Sequence, residues 1–141
     1  MNDTIVNEQP KHLDAILQTA HALEARMEAA LGEAGLSGAK FSVLSELVRS
    51  GEALPLSELA DRLACVRSNM TQLVDRLEAD GLVRRVADPN DRRSVKAQIT
   101  DEGQRRQVDG ARRGEELERG LEALVSKADG AALHRTLEAL R

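Results

Sequence analysis

Apolar residues fall along the first part of the chain at helical spacing. Leu13, Ile16, Leu17, Ala20, Leu23, Met27, Ala30 and Leu31 recur three or four positions apart, which predicts one long helix over about residues 10–32, ended by Gly32 and Gly35. Its stripe has no obvious partner nearby in sequence, so it reads either as a core helix or as one that packs against a second subunit. Ser37 is a candidate N-cap for a second helix with Phe41, Leu44, Leu47 and Val48 inward, stopping near Ser50-Gly51. A third helix follows Pro55 with Leu56, Leu59, Ala60 and Leu63. A tight apolar connection, Ala64-Cys65-Val66, leads to a fourth with Met70, Leu73, Val74 and Leu77, closed by Gly81.

The period then changes. Leu82 to Ala87 is rich in β-formers, and in Val95 to Ile99 the residues Val95, Ala97 and Ile99 alternate with Lys96 and Gln98. Between them Asp88-Pro89-Asn90-Asp91-Arg92-Arg93-Ser94 reads as a charged loop, so the whole is a β-hairpin with a basic tip. Thr100 restarts a helix with Asp101 and Glu102 in its first turn. The pattern to Arg141 is helical, interrupted by Gly103, Gly110, Gly114 and Gly120, each costing about 1 kcal/mol relative to Ala. Ser126 with Asp129 resembles a capping box for a last short helix carrying Leu133, Leu137 and Leu140.

Composition narrows the choice. The chain has 141 residues, 41% hydrophobic but only 1% aromatic, with Phe41 alone. Small aliphatic side chains suit helix-on-helix packing, and a mostly α fold is expected. They also offer a ligand no stacking platform. No stretch has the length of a membrane span, and Asn2, Asp3, Asn7 and Glu8 do not form a basic-then-apolar secretion signal. A single cysteine, Cys65, permits no internal disulfide, as expected of a cytoplasmic protein.

The net charge of −4 argues against a general polyanion binder. Its distribution does not. From Leu82 to Thr100 five basic residues (Arg84, Arg85, Arg92, Arg93, Lys96) stand against two acids, Asp88 and Asp91, a local excess of positive charge of the kind that meets phosphates. Helix, helix, short turn, helix, hairpin is the order of a helix-turn-helix with an appended wing, whose second helix enters the major groove. Opposite the apolar stripe of the fourth helix lie Arg67, Ser68, Asn69, Thr71, Gln72, Asp75 and Arg76. Asn and Gln can pair with adenine, Arg with guanine, and Ser and Thr with bases or phosphates. The plain alternative is a solvated helix face. The hairpin behind it tips the balance toward DNA.

Specific strings sharpen this. Leu56-Ser57-Glu58-Leu59-Ala60, Met70-Thr71-Gln72-Leu73-Val74-Asp75-Arg76-Leu77-Glu78, Asp80-Gly81-Leu82-Val83, Asp88-Pro89-Asn90-Asp91-Arg92-Arg93 and Ile99-Thr100-Asp101-Glu102-Gly103 together resemble the MarR family of transcription regulators. The resemblance implies a winged helix-turn-helix over residues 36–100, flanked by dimerisation helices over 1–35 and 101–141. It implies a reading helix over 67–80, with Asp91 holding the wing and Arg93 entering a minor groove, where narrowness concentrates negative potential. It also implies a homodimer on an inverted-repeat operator in double-stranded DNA, most often repressing. The family's effectors sit in a cleft between the dimer helices and the DNA-binding lobe, and a small molecule or an oxidant would loosen the grip on DNA. Candidate DNA-binding residues are Arg67, Ser68, Asn69, Thr71, Gln72, Arg76, Arg84, Arg92, Arg93 and Lys96. Two features depart from the family pattern: Val66 where a capping Ser or Thr is usual, and a glycine-rich tail.

Other residues carry less. Cys65 is either a small core side chain or an oxidation switch whose thiol Arg67 could activate. His12, His21 and His134 are too scattered for a metal cluster. Arg105, Arg106, Arg112 and Arg113 read as a solvated face or as ion-pair partners of nearby Glu residues. No catalytic set or phosphate-cradling loop occurs, so neither enzymatic activity nor a cofactor is expected. The competing function is a winged helix that binds protein instead of DNA.

Overall fold

The computed structural model describes residues 12–141. The start of the first helix at residue 10 and the polar N-terminal residues Asn2, Asp3, Asn7 and Glu8 lie outside the described residues. Six helices and three short strands follow one another: α1 (His12–Glu33), α2 (Gly38–Ser50), β1 (Leu54–Pro55), α3 (Leu56–Arg62), α4 (Arg67–Ala79), β2 (Val83–Asp88), β3 (Asp91–Ile99), α5 (Asp101–Val125) and α6 (Gly130–Ala139). No helix among the described residues is long and apolar enough to cross a membrane.

The apolar stripes read from sequence converge on one core, except that Val48, expected on the inner face of α2, is 44% exposed. Leu44 and Leu47 of α2, Leu59 and Ala60 of α3, Met70, Val74 and Leu77 of α4, and Val83 and Ala97 of the strands are all buried. Leu31 and Ala34, at the end of α1, complete the same cluster. The rest of the α1 stripe does not: Leu13 is 68% exposed and Leu17 48%.

The predicted starts and stops hold at several points. The Ser37 side chain accepts from the Lys40 N–H at 3.3 Å, and Gly51 ends α2 in the left-handed region, at φ 71°. Thr100 Oγ1 accepts from the Gly103 N–H at 3.0 Å and donates to the Gly81 carbonyl at 2.7 Å, so one hydroxyl starts α5 and ties it to the end of α4.

Three expectations are corrected and one, the tail helix, is sharpened. The hairpin loop is not seven residues long. The Asp88 carboxylate accepts from the Asn90 N–H at 2.9 Å and closes a two-residue turn at Pro89-Asn90, so β3 begins at Asp91 and takes in Arg92, Arg93 and Ser94. A register shift between Ala87 and Asp88 absorbs the mismatch. A third strand, β1, pairs antiparallel with β3 through Leu54↔Ala97 and Pro55↔Lys96, giving the sheet order β1-β3-β2. Two residues ending in proline carry no period to read. The tail glycines do not break α5, which runs unbroken for 25 residues. Finally, Asp129 caps α6 itself, accepting from the Ala132 N–H at 2.9 Å, while Ser126 Oγ donates to the Ala123 carbonyl.

One buried charge positions α3. Glu46 on α2 is 8% exposed and accepts from Arg49 (2.5 and 3.0 Å) and from Arg62 of α3 at 2.7 Å. Hydrogen bonds from Arg49 and then Arg62 lower its pKa from 4.5 to about 2. Arg62 also reaches Glu58 at 2.5 Å, so the network joins α2 to α3.

Candidate nucleic-acid interface

The turn before α4 is built by the backbone. Ala64 adopts the left-handed conformation at φ 49°, and the Cys65 N–H donates to the Ala60 carbonyl at 2.8 Å, which turns the chain sharply out of α3. Val66 then enters α4 from extended backbone, φ −64° and ψ 136°, and no side chain caps the helix. The first-turn N–H groups of a helix have no intrahelical acceptor, and with the helix dipole they suit a phosphate. Cys65 is half-buried and packs against the core, with its Sγ near the Val66 carbonyl at 3.5 Å.

Burial of Met70, Val74 and Leu77 turns the other side of α4 outward. Arg67, Ser68, Asn69, Thr71, Gln72 and Arg76 are all exposed. Thr71 Oγ1 donates to the Arg67 carbonyl at 3.1 Å, leaving its oxygen free to accept. The side chains of Arg67, Ser68, Asn69, Gln72 and Arg76 make no hydrogen bond or ion pair with other described residues. The same holds for Arg92 and Arg93, which project beside the turn at the wing tip. Asp91 Oδ1 accepts from the Arg93 N–H at 2.9 Å, fixing the backbone from which that guanidinium extends.

Two predicted residues stand elsewhere. The register pairs Arg84 with Gln98 and Val86 with Lys96, and alternation puts these four on one sheet face. The opposite face carries buried Val83 and Ala97 and the side chain of Arg85, which reaches α4. Arg84 and Lys96 therefore face away from α4. Arg84 Nε donates to Gln98 Oε1 at 2.8 Å, and Lys96 lies 3.9 Å from Asp88.

The residue that sequence reasoning passed over is Arg85. It counted toward the basic patch, yet it is engaged within the chain: Nη2 donates to Asp75 at 2.5 Å and Nη1 to Glu78 at 2.6 Å. Its backbone N–H also donates to Glu78 at 3.0 Å. That bond, followed by the guanidinium, holds the Glu78 carboxyl below its usual range. A readable signal existed, since Asp75 and Glu78 are three apart and share one helix face.

A separate cavity of about 380 Å³ opens between α2 and α5, lined by Leu47, Val48, Glu52, Gln98, Gln104 and Val108 among others. Among the described residues no group of three or more His, Cys, Asp or Glu side chains could hold a metal ion.

A three-helix core, a turn into an exposed polar helix and an adjoining antiparallel wing define a winged helix-turn-helix. Residues 34–94 match the model of the MarR family. The uncharacterised HTH-type transcriptional regulator YkoM of Bacillus subtilis is 39% identical over 71 residues, 50% of this chain and 46% of that protein. The HTH-type transcriptional repressor MdtR, also of Bacillus subtilis, is 31% identical over 101 residues, 72% of this chain and 63% of that one. The crystal structure of YusO from the same organism superposes with a TM-score of 0.69 at 27% identity, covering 94% of this chain and 98% of that one. Residues 34–94 thus carry the signature of the MarR family, and the fold around them is shared with YusO. The chain's matches with YkoM and with MhqR, another relative, span about half the length of those proteins.

Proposed function

We propose that this protein is a sequence-specific double-stranded DNA-binding transcription regulator that acts as a homodimer and not as an enzyme. The observation that carries this reading is the unengaged polar row on α4, Arg67, Ser68, Asn69, Gln72 and Arg76, together with the free guanidinium groups of Arg92 and Arg93 on the wing. In this reading Asn69 and Gln72 read base edges, Arg67 and Arg76 serve bases or phosphates, and Ser68 and Thr71 position the helix on the backbone. Arg93, set by Asp91, enters the adjacent minor groove with Arg92 beside it. Arg84 and Lys96, on the far sheet face, contribute long-range charge. Residues 12–35 and 101–141 supply the dimer helices, whose exposed leucines support association. The match to MdtR, a repressor by name, supports repression. The cavity between α2 and α5 has the size of a small-molecule site and is where an effector would bind.

Selection of bound duplexes from a random pool tests this. The expected product is an inverted repeat with half-sites about one helical turn (~10 bp) or a multiple apart. Asn69→Ala or Gln72→Ala should shift preference at particular base pairs by about 1–3 kcal/mol. Failure to enrich any sequence at low salt would overturn the reading.

A further inference from the structure

We infer that Arg85 is a positioning residue that locks the wing to the reading helix, so that α4 and the wing tip engage DNA as one rigid unit. The inference rests on the DNA-binding reading above. Only Asp80, Gly81 and Leu82 separate α4 from β2, and adjacent arginines then point to opposite sheet faces. Arg84 faces away from α4, while Arg85 faces it and meets Asp75 and Glu78, one helical turn apart. Three hydrogen bonds result, two from the guanidinium fork and one from the Arg85 backbone N–H, and Glu78 uses both of its oxygens. A lysine could not make this planar, two-pronged contact.

The clamp matters because the outer part of the wing has little else to hold it. Val83 and Ala97 at its base are buried, whereas Ala87, Arg92, Arg93 and Val95 further out are exposed. Beyond Lys96, where β1 stops pairing with β3, the wing is a two-stranded hairpin, and such a hairpin alone is marginally stable in water. The direction of its tip is therefore set at the base, and Arg85 is the side chain joining that base to the helix beside the tip. Engaging both grooves at once needs the distance between them fixed before binding, since ordering the wing on DNA would cost affinity.

A double-mutant cycle with a labelled operator duplex, selected as above, tests this. In the parent, Arg93→Ala should weaken binding about ten-fold. In Arg85→Gln the same change should weaken it by less than about two-fold, because an unlocked wing contributes little. Base preference set by Asn69 and Gln72 should persist. Arg85→Gln leaves two carboxylates unpaired near the phosphates; Asp75→Asn with Glu78→Gln instead frees a cation. The two backgrounds shift overall affinity in opposite electrostatic directions, yet both should abolish the Arg93 effect. If either fails to fold by circular dichroism, the other carries the test. An undiminished Arg93 effect in the folded backgrounds would overturn the clamp alone. Absence of any binding by the parent, or of any Arg93 effect in it, would overturn the DNA or wing reading and the clamp with it.

Discussion

Among single residues, Arg84 and Arg85 are neighbours on β2, yet one guanidinium meets Gln98 and the other Asp75 and Glu78. The polar row of α4 was legible because burial of Met70, Val74 and Leu77 leaves only one outward side on a 3.6-residue period. Arg84 and Arg85 were not distinguishable, because which of two neighbours on a strand faces the helix depends on register. The missing cap at Val66 was legible, and it makes a separable prediction. Val66 is 65% exposed, so Val66→Ser loses little packing and gains an acceptor for the first-turn N–H groups. We expect about 1 kcal/mol of added stability in denaturant unfolding. Those are the N–H groups that the proposed complex offers to a phosphate, so DNA affinity should fall or stay level while stability rises. A gain in affinity would argue against that phosphate contact.

At the scale of elements, α5 shows why composition misleads. Its four glycines lower helix propensity alike, yet their surroundings differ. A Cβ on Gly103 would collide with the Leu82 carbonyl oxygen, and one on Gly110 would lie 2.9 Å from the Phe41 ring. These two let α5 approach the winged domain and its second helix. Nothing lies within 4 Å of a Cβ built on Gly120. Helix propensity was overridden by tertiary approach at two positions and simply tolerated at a third, which no single-sequence pattern distinguishes. The prediction therefore has two signs. Gly120→Ala should stabilise by up to about 1 kcal/mol, and Gly103→Ala should destabilise by about 1–3 kcal/mol through overpacking. Urea unfolding of both variants checks it, and equal signs would refute the close-approach account.

Across the whole fold, the described residues leave several large apolar side chains exposed on the terminal helices. Leu13, Ile16 and Leu17 on α1, Leu124 on α5, Leu133 and Leu137 on α6, and Leu140 just after it are each at least 40% exposed. None belongs to the core that holds the winged domain. Scattered exposed leucines are ordinary, but several on helices at the chain's two ends are what the proposed dimer would cover. Fully burying such a side chain contributes about 1.5–3 kcal/mol. A two-fold axis counts every contact twice, so a modest patch suffices for a stable dimer. Dimerisation would also turn two weak half-site contacts into one strong complex, because the second half-site is then bound at high effective concentration. Leu133→Glu combined with Leu137→Glu puts like charges on that patch without touching the core. We expect the parent to sediment as a dimer at micromolar concentration and the variant as a folded monomer with unchanged helical content. Affinity for an inverted repeat should then collapse toward that for an isolated half-site, while the parent retains a strong preference for the full repeat. A parent that sediments as a monomer would refute the dimer. A monomeric variant that still bound the full repeat as tightly would show that the two reading helices act independently.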